Sequence, residues 1–451
     1  MALTGLDIFK LLPRKNCNEC GVPTCLAFAM ALASGKASLE ACPYVSEEAK
    51  EALGSAAAPP IRLVKIGAPG VDHEVELGDE NVLFRHDKTF YHPAAVAVEV
   101  GDDLDAGALA ARLGKIAELV FERVGQRYTV DLVAVRNVTG DPAKFAAAAK
   151  AVAEKTKLAL MLVAEKPEAL KAALDVVADR KPILAWGTPE TADAVVALAK
   201  EKGCAVVLRG AGLDETANLA ERIAKTGFKD IILDSGARET GKVLADLTQV
   251  RRLAIKKKFR PFGFPIAAFC AEKDPLAEMT QAAVYMAKYA SLIVIKAVER
   301  PQVLTLLTWR QNIYTDPQKP IQVEPKVYPI GEPGPDSPVF VTTNFSLTYF
   351  IVSGEIENSG ISAWLLVPEC EGLSVLTAWA AGKFSGATIG KFAKEIDLDG
   401  QVTSRQIIIP GYVAQISGEL EESMPGWKVL VGPQEAGDLE SFIKTRLATA
   451  G

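Results

Sequence analysis

Histidine is nearly absent from this sequence. The 451 residues hold three, His73, His86 and His92, all ahead of residue 93. Nothing downstream can use imidazole as a metal ligand or an acid–base group. Long apolar runs are lacking too. The longest uncharged stretch, Ser337 to Gly354, is broken by Thr342, Thr343, Asn344, Ser346 and Thr348, so it does not read as a membrane span. Apart from Lys256 to Lys258 beside Arg251 and Arg252 there is no basic run, and 50 Lys+Arg against 56 Asp+Glu leave a formal net charge of −6. A nucleic-acid binder needs a phosphate-neutralising patch, and none is offered. The first residues, Met1 to Lys15, show no basic start followed by an apolar run, so no secretory signal and a cytoplasmic location are expected. What is present is core-forming material: 49% hydrophobic and 24% charged residues. That excludes a disordered chain, and at roughly 150 residues per domain the length suggests about three domains.

Seven cysteines are present, four within the first 42 residues and Cys204, Cys270 and Cys370 scattered singly. The odd count argues against a disulfide framework. The early segment reads Asn16-Cys17-Asn18-Glu19-Cys20-Gly21-Val22-Pro23-Thr24-Cys25, and Cys42-Pro43 follows after sixteen residues. Two thiolates at Cys-x2-Cys spacing can hold one metal centre from a single turn, and Gly21 lets the backbone wrap closely. Thr24 is placed to cap a helix beginning at Cys25, whose dipole would favour an anionic centre. The returning Cys42 before a proline follows ferredoxin-type ligation. A [4Fe–4S] cluster on Cys17, Cys20, Cys25 and Cys42 is favoured over zinc, which usually takes two Cys-x2-Cys knuckles or Cys/His mixtures. Cys204 and Cys270 fall in apparent strands and read as small buried hydrophobes. Cys370 falls in a loop that could face a ligand.

After a linker at Ser55 to Pro60, a short β-rich stretch (Ile61–Ile66, Glu74–Leu77, Val82–Arg85) suggests a small hairpin plugging one end of the next domain. From Pro93 the pattern becomes regular. Apolar runs at Ala94–Val100, Val130–Val135, Leu158–Val163, Pro182–Trp186, Ala205–Leu208, Ile231–Leu233, Pro265–Phe269 and Leu292–Ile295 alternate with helical stretches. Eight such units over about 220 residues are the size of a (β/α)8 barrel, with an open doubly wound sheet as the alternative. The polar residues after these strands, Arg136-Asn137, Gly187-Thr188, Arg209-Gly210 and Asp234-Ser235-Gly236, could hold a small polar ligand such as a pterin. A barrel serving only as a scaffold explains them equally well.

Pro- and Gly-rich punctuation at Asp316–Pro320 and Gly331–Pro335 marks the next boundary. Four strands follow, Val339–Thr343, Ala363–Val367, Ile407–Pro410 and Lys428–Val431, each leading into a helix. Four units suggest a flavodoxin-like, Rossmann-type sheet, which binds ligands beyond the strand carboxyl ends. Those ends carry Thr342, Thr343, Asn344, Ser346 and Thr348, then Cys370, Glu371, Gly372, Leu373 and Ser374, then Gly411 and finally Gly432 and Pro433. Hydroxyls at helix starts and small residues suit a phosphate-bearing flat cofactor, and FMN and a corrinoid are both admissible. This half of the chain has no histidine, and the Asp-x-His-x-x-Gly signature of one cobalamin-binding group is absent.

The order of cysteine segment, barrel and histidine-free α/β domain resembles the large (gamma) subunit family of the corrinoid iron–sulfur protein, part of the acetyl-CoA decarbonylase/synthase system of the reductive acetyl-CoA pathway. The most specific parts are Asn16 to Cys25 with Cys42-Pro43, and Val341 to Phe350 with Pro368 to Ser374. The resemblance implies a [4Fe–4S] domain at 1–58, a linker and β-hairpin at 59–92, a TIM barrel at 93–312, a linker at 313–325 and a corrinoid-binding α/β domain at 326–451. It implies a base-off, cobalamin-type corrinoid whose cobalt(I) accepts a methyl group from methyltetrahydrofolate on a separate methyltransferase and passes it to the nickel site of acetyl-CoA synthase. The cluster would reductively rescue cobalt(II). It also implies a heterodimer with a smaller barrel-shaped subunit, anaerobic carbon fixation, and no acid–base catalytic site in this chain. Two other functions remain open on the residues alone: an iron–sulfur flavoprotein electron carrier with FMN in the C-terminal domain, and a pterin-dependent methyltransferase using the barrel.

Overall fold

The computed structural model describes residues 5–33, 37, 39–46, 49, 59–68, 71–72, 74–87, 89–123 and 126–447. Linker residues 55–58, His73 and Ala448 lie outside them. The described residues fall into two compact units, one within 1–83, 91–117 and 130–306, the other within 84–90, 118–129 and 307–451.

In the first unit, β1 (Val64–Ile66) and β2 (Val75–Leu77) form an antiparallel pair. The parallel strand β3 (Ala95–Gly101) follows. Next come β4 (Val120–Arg123) and β5 (Gln126–Thr129), an antiparallel pair belonging to the second unit. The first unit resumes with β6 (Leu132–Arg136), β7 (Ala159–Val163), β8 (Ile183–Gly187), β9 (Val206–Arg209), β10 (Ile231–Asp234), β11 (Ala267–Phe269) and β12 (Leu292–Ile295). The parallel order is β10-β9-β8-β7-β6-β3-β12-β11. A parallel bridge from Leu233 to Ile266 joins the two ends, closing an eight-stranded TIM-type barrel. All eight strands expected from the apolar runs are present.

These strands are apolar almost throughout because both faces are covered, as parallel sheets require. Alternate residues point inward: Ala95 and Ala97, Leu132 and Ala134, Ala159, Met161 and Val163, and Leu292 and Val294 share one buried cluster. Val64, Ile66, Val75 and Leu77 belong to that same cluster, so the β1–β2 pair contributes its apolar face to the barrel interior. The stretch Val82–Arg85 is not a strand. Among the surrounding helices, Asp141 and Asp274 accept from backbone N–H groups at the starts of Pro142–Lys155 and Pro275–Ala287. Each cap of this kind contributes about 1 kcal/mol.

The second unit carries β13 (Lys326–Ile330), β14 (Val339–Val341), β15 (Ala363–Val367), β16 (Gln406–Ile409) and β17 (Lys428–Val431) in the order β13-β15-β14-β16-β17. The last four are parallel, and β13 runs antiparallel at the edge of β15. The sequence reading did not anticipate β13, because Pro329 interrupts it. An edge strand tolerates a proline, having one unpaired side. Side chains alternate between two cores: Val339 and Val341, Leu366, and Ile407 and Ile409 enter one, while Phe340, Leu365 and Ile408 enter the other. The helix after β15 is short, Val375–Ala380, and a second helix, Gly386–Glu395, follows behind a Ser385/Thr388 capping box. The helical stretch after β16 is a 3-10 turn, Gly411–Ile416, followed by the helix Ser417–Ser423. No helix among the described residues is long and apolar enough to cross a membrane.

If the β1–β2 pair is part of the barrel core, Leu77→Ala lowers stability by about 2–5 kcal/mol, read as a lower urea midpoint of the barrel transition. A loss under about 0.5 kcal/mol, the surface-site value, would show the pair to be an appendage.

Candidate functional site

In the cysteine segment, Arg14, Asn16, Asn18 and Gly21 all have positive φ, from 49° to 80°. Asparagine and glycine reach this left-handed region at least cost, and their succession wraps the chain tightly around Cys17 and Cys20. The Asn16 side chain accepts from the Cys25 N–H at 2.8 Å, and the Asn16 N–H donates to the Cys25 sulfur at 3.4 Å. The helix Cys25–Ala33 starts as expected, with the Thr24 hydroxyl oxygen accepting from the Ala27 N–H at 3.1 Å. Cys25 and Cys42 are buried in one small apolar core, and Cys20 packs against it. Tyr44, whose hydroxyl donates to Glu19 at 2.7 Å, lies within electrostatic reach of Cys17 and Cys42. Among the described residues, no three Cys, His, Asp or Glu side chains converge as ligands of one metal ion. The donor set still suits an iron–sulfur centre: Cys17 and Cys20 on one tight loop, Cys25 at a helix start with the Asn16 N–H turned toward its sulfur, Cys42 just after the 3-10 turn Leu39–Ala41, and no histidine in this segment.

The second candidate lies in the C-terminal sheet. Because β15 and β16 flank β14 on opposite sides, the chain leaves β14 in one direction and returns on the other. The loops diverge at that point and leave a crevice beyond the strand ends. A cavity of about 310 Å³ occupies it. Its uncharged polar lining is Thr342 after β14, Thr348 on helix Ser346–Asn358, Ser374 at the cap of Val375–Ala380, Tyr412 after β16 and Gln434 after β17. Gly432 and Pro433 after β17 complete that rim. The rest is mostly apolar, including Phe340, Ile351, Val352 and Leu376, and Glu435 is its one charged residue. Thr342 is fully buried and its hydroxyl has no partner, and Thr343 is in the same condition. A buried hydroxyl without a partner is costly, so Thr342 fits a ligand acceptor or donor in the cavity. At Gly411 a Cβ would stand 2.6 Å from the Gly432 carbonyl oxygen, so these two loops meet backbone to backbone.

Of the residues expected to bind a cofactor, Thr342, Thr348, Ser374, Gly432 and Pro433 line the cavity. Thr343, Asn344, Ser346, Cys370, Glu371, Gly372, Leu373 and Gly411 do not. The buried Asn344 is a clip. Its Oδ1 accepts from the Cys370 and Gly372 N–H groups, both at 3.0 Å, and its amide donates to Gln322 at 3.2 Å and Glu369 at 3.1 Å. Ser346 donates its N–H to the Ile321 carbonyl. Glu371 and Gly372 are consecutive left-handed residues, and Glu371 pairs with Lys383 at 2.8 Å. Leu373 packs against the core, and burial pushes the Cys370 thiol up to about 12. Residues such as Ile351, Val352, Leu376 and Glu435 escaped the sequence reading. A signal existed in helix Ser346–Asn358, whose Leu347, Phe350 and Ile351 are exposed, leaving it apolar on several sides. Among the described residues, no histidine lines the cavity. His86, the histidine of the second unit, is exposed and stacks on Phe84.

Residues 63–443 match the family described as CO dehydrogenase/acetyl-CoA synthase delta subunit, and residues 12–44 match a family described as a putative Fe-S cluster. The corrinoid/iron-sulfur protein large subunit of Moorella thermoacetica is 53% identical over 449 residues, spanning 100% of both chains. The acetyl-CoA decarbonylase/synthase complex subunit gamma of Methanothermobacter thermautotrophicus is 35% identical over 456 residues, 98% of this chain and 99% of its own. Its counterpart in Archaeoglobus fulgidus is 35% identical over 461 residues, 97% of each. The delta-subunit match leaves out the cysteine segment, whereas the large and gamma subunits match along the whole chain and include it.

Alkylation by iodoacetamide at pH 8 should leave Cys204 and Cys370 untouched in the folded chain. Burial raises them to about 11 and about 12 and pushes Cys270 higher still, so about one thiol in a thousand or fewer is ionised. Peptide mass mapping before and after unfolding checks this, and labelling of folded Cys370 would show that the 369–372 loop opens.

Proposed function

The chain belongs to the large (gamma) subunit family of the corrinoid/iron–sulfur protein of the acetyl-CoA decarbonylase/synthase system, and from that premise we propose how its own residues serve the role. The role is that of a methyl carrier linking corrinoid chemistry to acetyl-CoA synthase, a methyltransferase-type component without a catalytic acid or base of its own. When bound, the corrinoid supplies a nucleophilic cobalt(I) that takes a methyl group from methyltetrahydrofolate and yields it to the nickel of acetyl-CoA synthase, and a [4Fe–4S] cluster supplies the electron that restores oxidised cobalt.

In this reading Cys17, Cys20, Cys25 and Cys42 hold the cluster. The wrapped loop and the Asn16 contacts to Cys25 orient the thiolates, and the start of helix Cys25–Ala33 favours their negative charge. Thr342, Thr348, Ser374, Gly432 and Pro433 contact the corrinoid's nucleotide tail and ring edge, and Gly411 keeps the opposing loop thin enough for them to do so. Asn344 holds the Cys370–Ser374 loop in place from behind. The functional units are 1–58 for the cluster, 59–92 as linker and hairpin, 93–312 as barrel, 313–325 as linker and 326–451 for the corrinoid, a flavodoxin-like domain. The partners are a smaller barrel-shaped subunit, the methyltetrahydrofolate methyltransferase and acetyl-CoA synthase/CO dehydrogenase.

The observation that carries the corrinoid over FMN is the whole-chain likeness to the corrinoid/iron-sulfur protein large subunit, 53% identical over 100% of both chains. Among the described residues the cavity lining has no lysine or arginine and one glutamate, so hydroxyls and helix-start N–H groups would hold the phosphate of a bound cofactor. A corrinoid tail presents an apolar base and a singly charged phosphodiester, which an apolar, hydroxyl-bearing cavity suits. Among the described residues the lining offers no imidazole, so a corrinoid held by Thr342, Thr348 and Ser374 would receive no histidine nitrogen from it, which would ease its reduction.

Anaerobically prepared protein, alone or with its companion subunit, should contain cobalt and iron and show corrinoid rather than flavin absorption. Its cobalt(II) EPR should lack nitrogen superhyperfine splitting from an axial base, and a flavin spectrum without cobalt would overturn the assignment. Cys17→Ser should lose most of the iron and the reductive reactivation while retaining cobalt. Gly411→Val, whose side chain meets the Gly432 carbonyl, should lose cobalt while retaining iron.

A further inference from the structure

At the carboxyl end of the barrel, three arginines converge on one indole. The guanidinium carbons of Arg136, Arg209 and Arg238 lie 5.5, 4.1 and 5.8 Å from the ring centre of Trp186. Arg136 ends β6, Arg209 ends β9, Trp186 is the last residue but one of β8, and Arg238 follows β10. Phe269, at the end of β11, packs on Trp186 at 5.2 Å. This is the face on which barrels of this type bind their ligands. Trp186 is 3% exposed, and its ring N–H has no partner.

Each arginine has a carboxylate. Arg238 forks onto Asp234 at 2.8 and 2.9 Å, Arg209 onto Glu165 at 2.6 and 3.1 Å, and Arg136 meets Glu99 at 3.0 Å. The three pairs face solvent differently. The Asp234 side chain is 2% exposed against 29% for Arg238, and Glu99 is likewise more buried than Arg136, so these two carboxylates brace their arginines from below. At Arg209 the order reverses: Glu165 is 63% exposed and the guanidinium 23%. An exposed partner of this kind contributes little and is readily displaced. A guanidinium has five donors, and none of the three spends more than three of them in the contacts above. Bracing, surplus donors, an orphan buried N–H and one exchangeable carboxylate together describe a receptor for an anion.

We propose that the carboxyl end of the barrel binds a compact oxyanion, a phosphate or carboxylate group, at Arg209 in the place now held by Glu165. Arg136 and Arg238 supply further donors and Trp186 its ring N–H. The site is separate from the C-terminal cavity and does not depend on the corrinoid reading. Arg209 takes the planar oxyanion edge in the forked geometry it already uses on Glu165.

Calorimetric titration of the full-length protein, with its cofactors, at low ionic strength uses inorganic phosphate in one arm and malonate in the other, with chloride as control. The expected result is one saturable site for at least one oxyanion, and the tighter arm identifies the source. Glu165→Gln removes the internal competitor from an exposed position and should tighten binding about tenfold, a gain that a purely structural ion pair would not produce. Arg209→Gln should weaken it about tenfold or more, and Trp186→Phe several-fold, the span of one charge-assisted hydrogen bond. The proposal is overturned if neither oxyanion binds saturably to the native protein or to Glu165→Gln. It is equally overturned if Arg209→Gln, folded by circular dichroism, binds as the native protein does.

Discussion

The placement of β14 between β15 and β16 governs the C-terminal unit. A strand that sends its chain to one side and receives its next neighbour on the other leaves a gap at its carboxyl end, since no loop crosses there. That gap decides which side chains lose their solvent and their protein partners together. Thr342 stands on it and is stranded without a hydrogen bond, a condition that a folded chain seldom leaves unrelieved. Asn344, two residues on, is fully spent tying its neighbouring loop and so cannot relieve it. Both residues lie beyond the last residue of β14, where the ladder has ended and each polar group needs a partner outside it.

Much of this was legible in the residues. The barrel strands could be read because parallel strands covered on both faces are near-continuous apolar runs, and their number identifies the closed form better than any one run does. The Thr24 cap was legible for a similar reason, since hydroxyls cluster where helices begin; of the residues singled out in the C-terminal sheet, Thr342, Thr348, Ser374, Gly432 and Pro433 line the cavity and eight others do not. The elements that escaped have a common physical cause. In β13, Pro329 masks a strand that only its edge position permits. In β4 and β5, a two-stranded pair among the described residues, Gln126-Arg127-Tyr128-Thr129 offers no apolar alternation to read. The apolar wall of the cavity escaped because each of its residues, taken alone, resembles core.

The charges of the chain are disposed differently at its two candidate sites. The C-terminal cavity is nearly uncharged, which favours a bulky ligand held by shape and desolvation. The barrel mouth is crowded with guanidinium groups stacked on an indole, each held by a carboxylate at a different depth. A scaffold with no ligand of its own has no evident need for three cations around one ring, because like charges brought together must be compensated one by one. The plain scaffold reading explains the polar ends of the strands but not their convergence.

An exposed sheet edge is a template on which another chain can add a strand. The C-terminal sheet has two such edges. At one, β13 runs against the direction of its neighbours and Pro329 deletes a donor from the ladder; at the other, β17 begins with the exposed Lys428. A proline and a lysine are among the devices by which sheet edges resist the addition of a foreign strand, so both margins of this sheet are blunted.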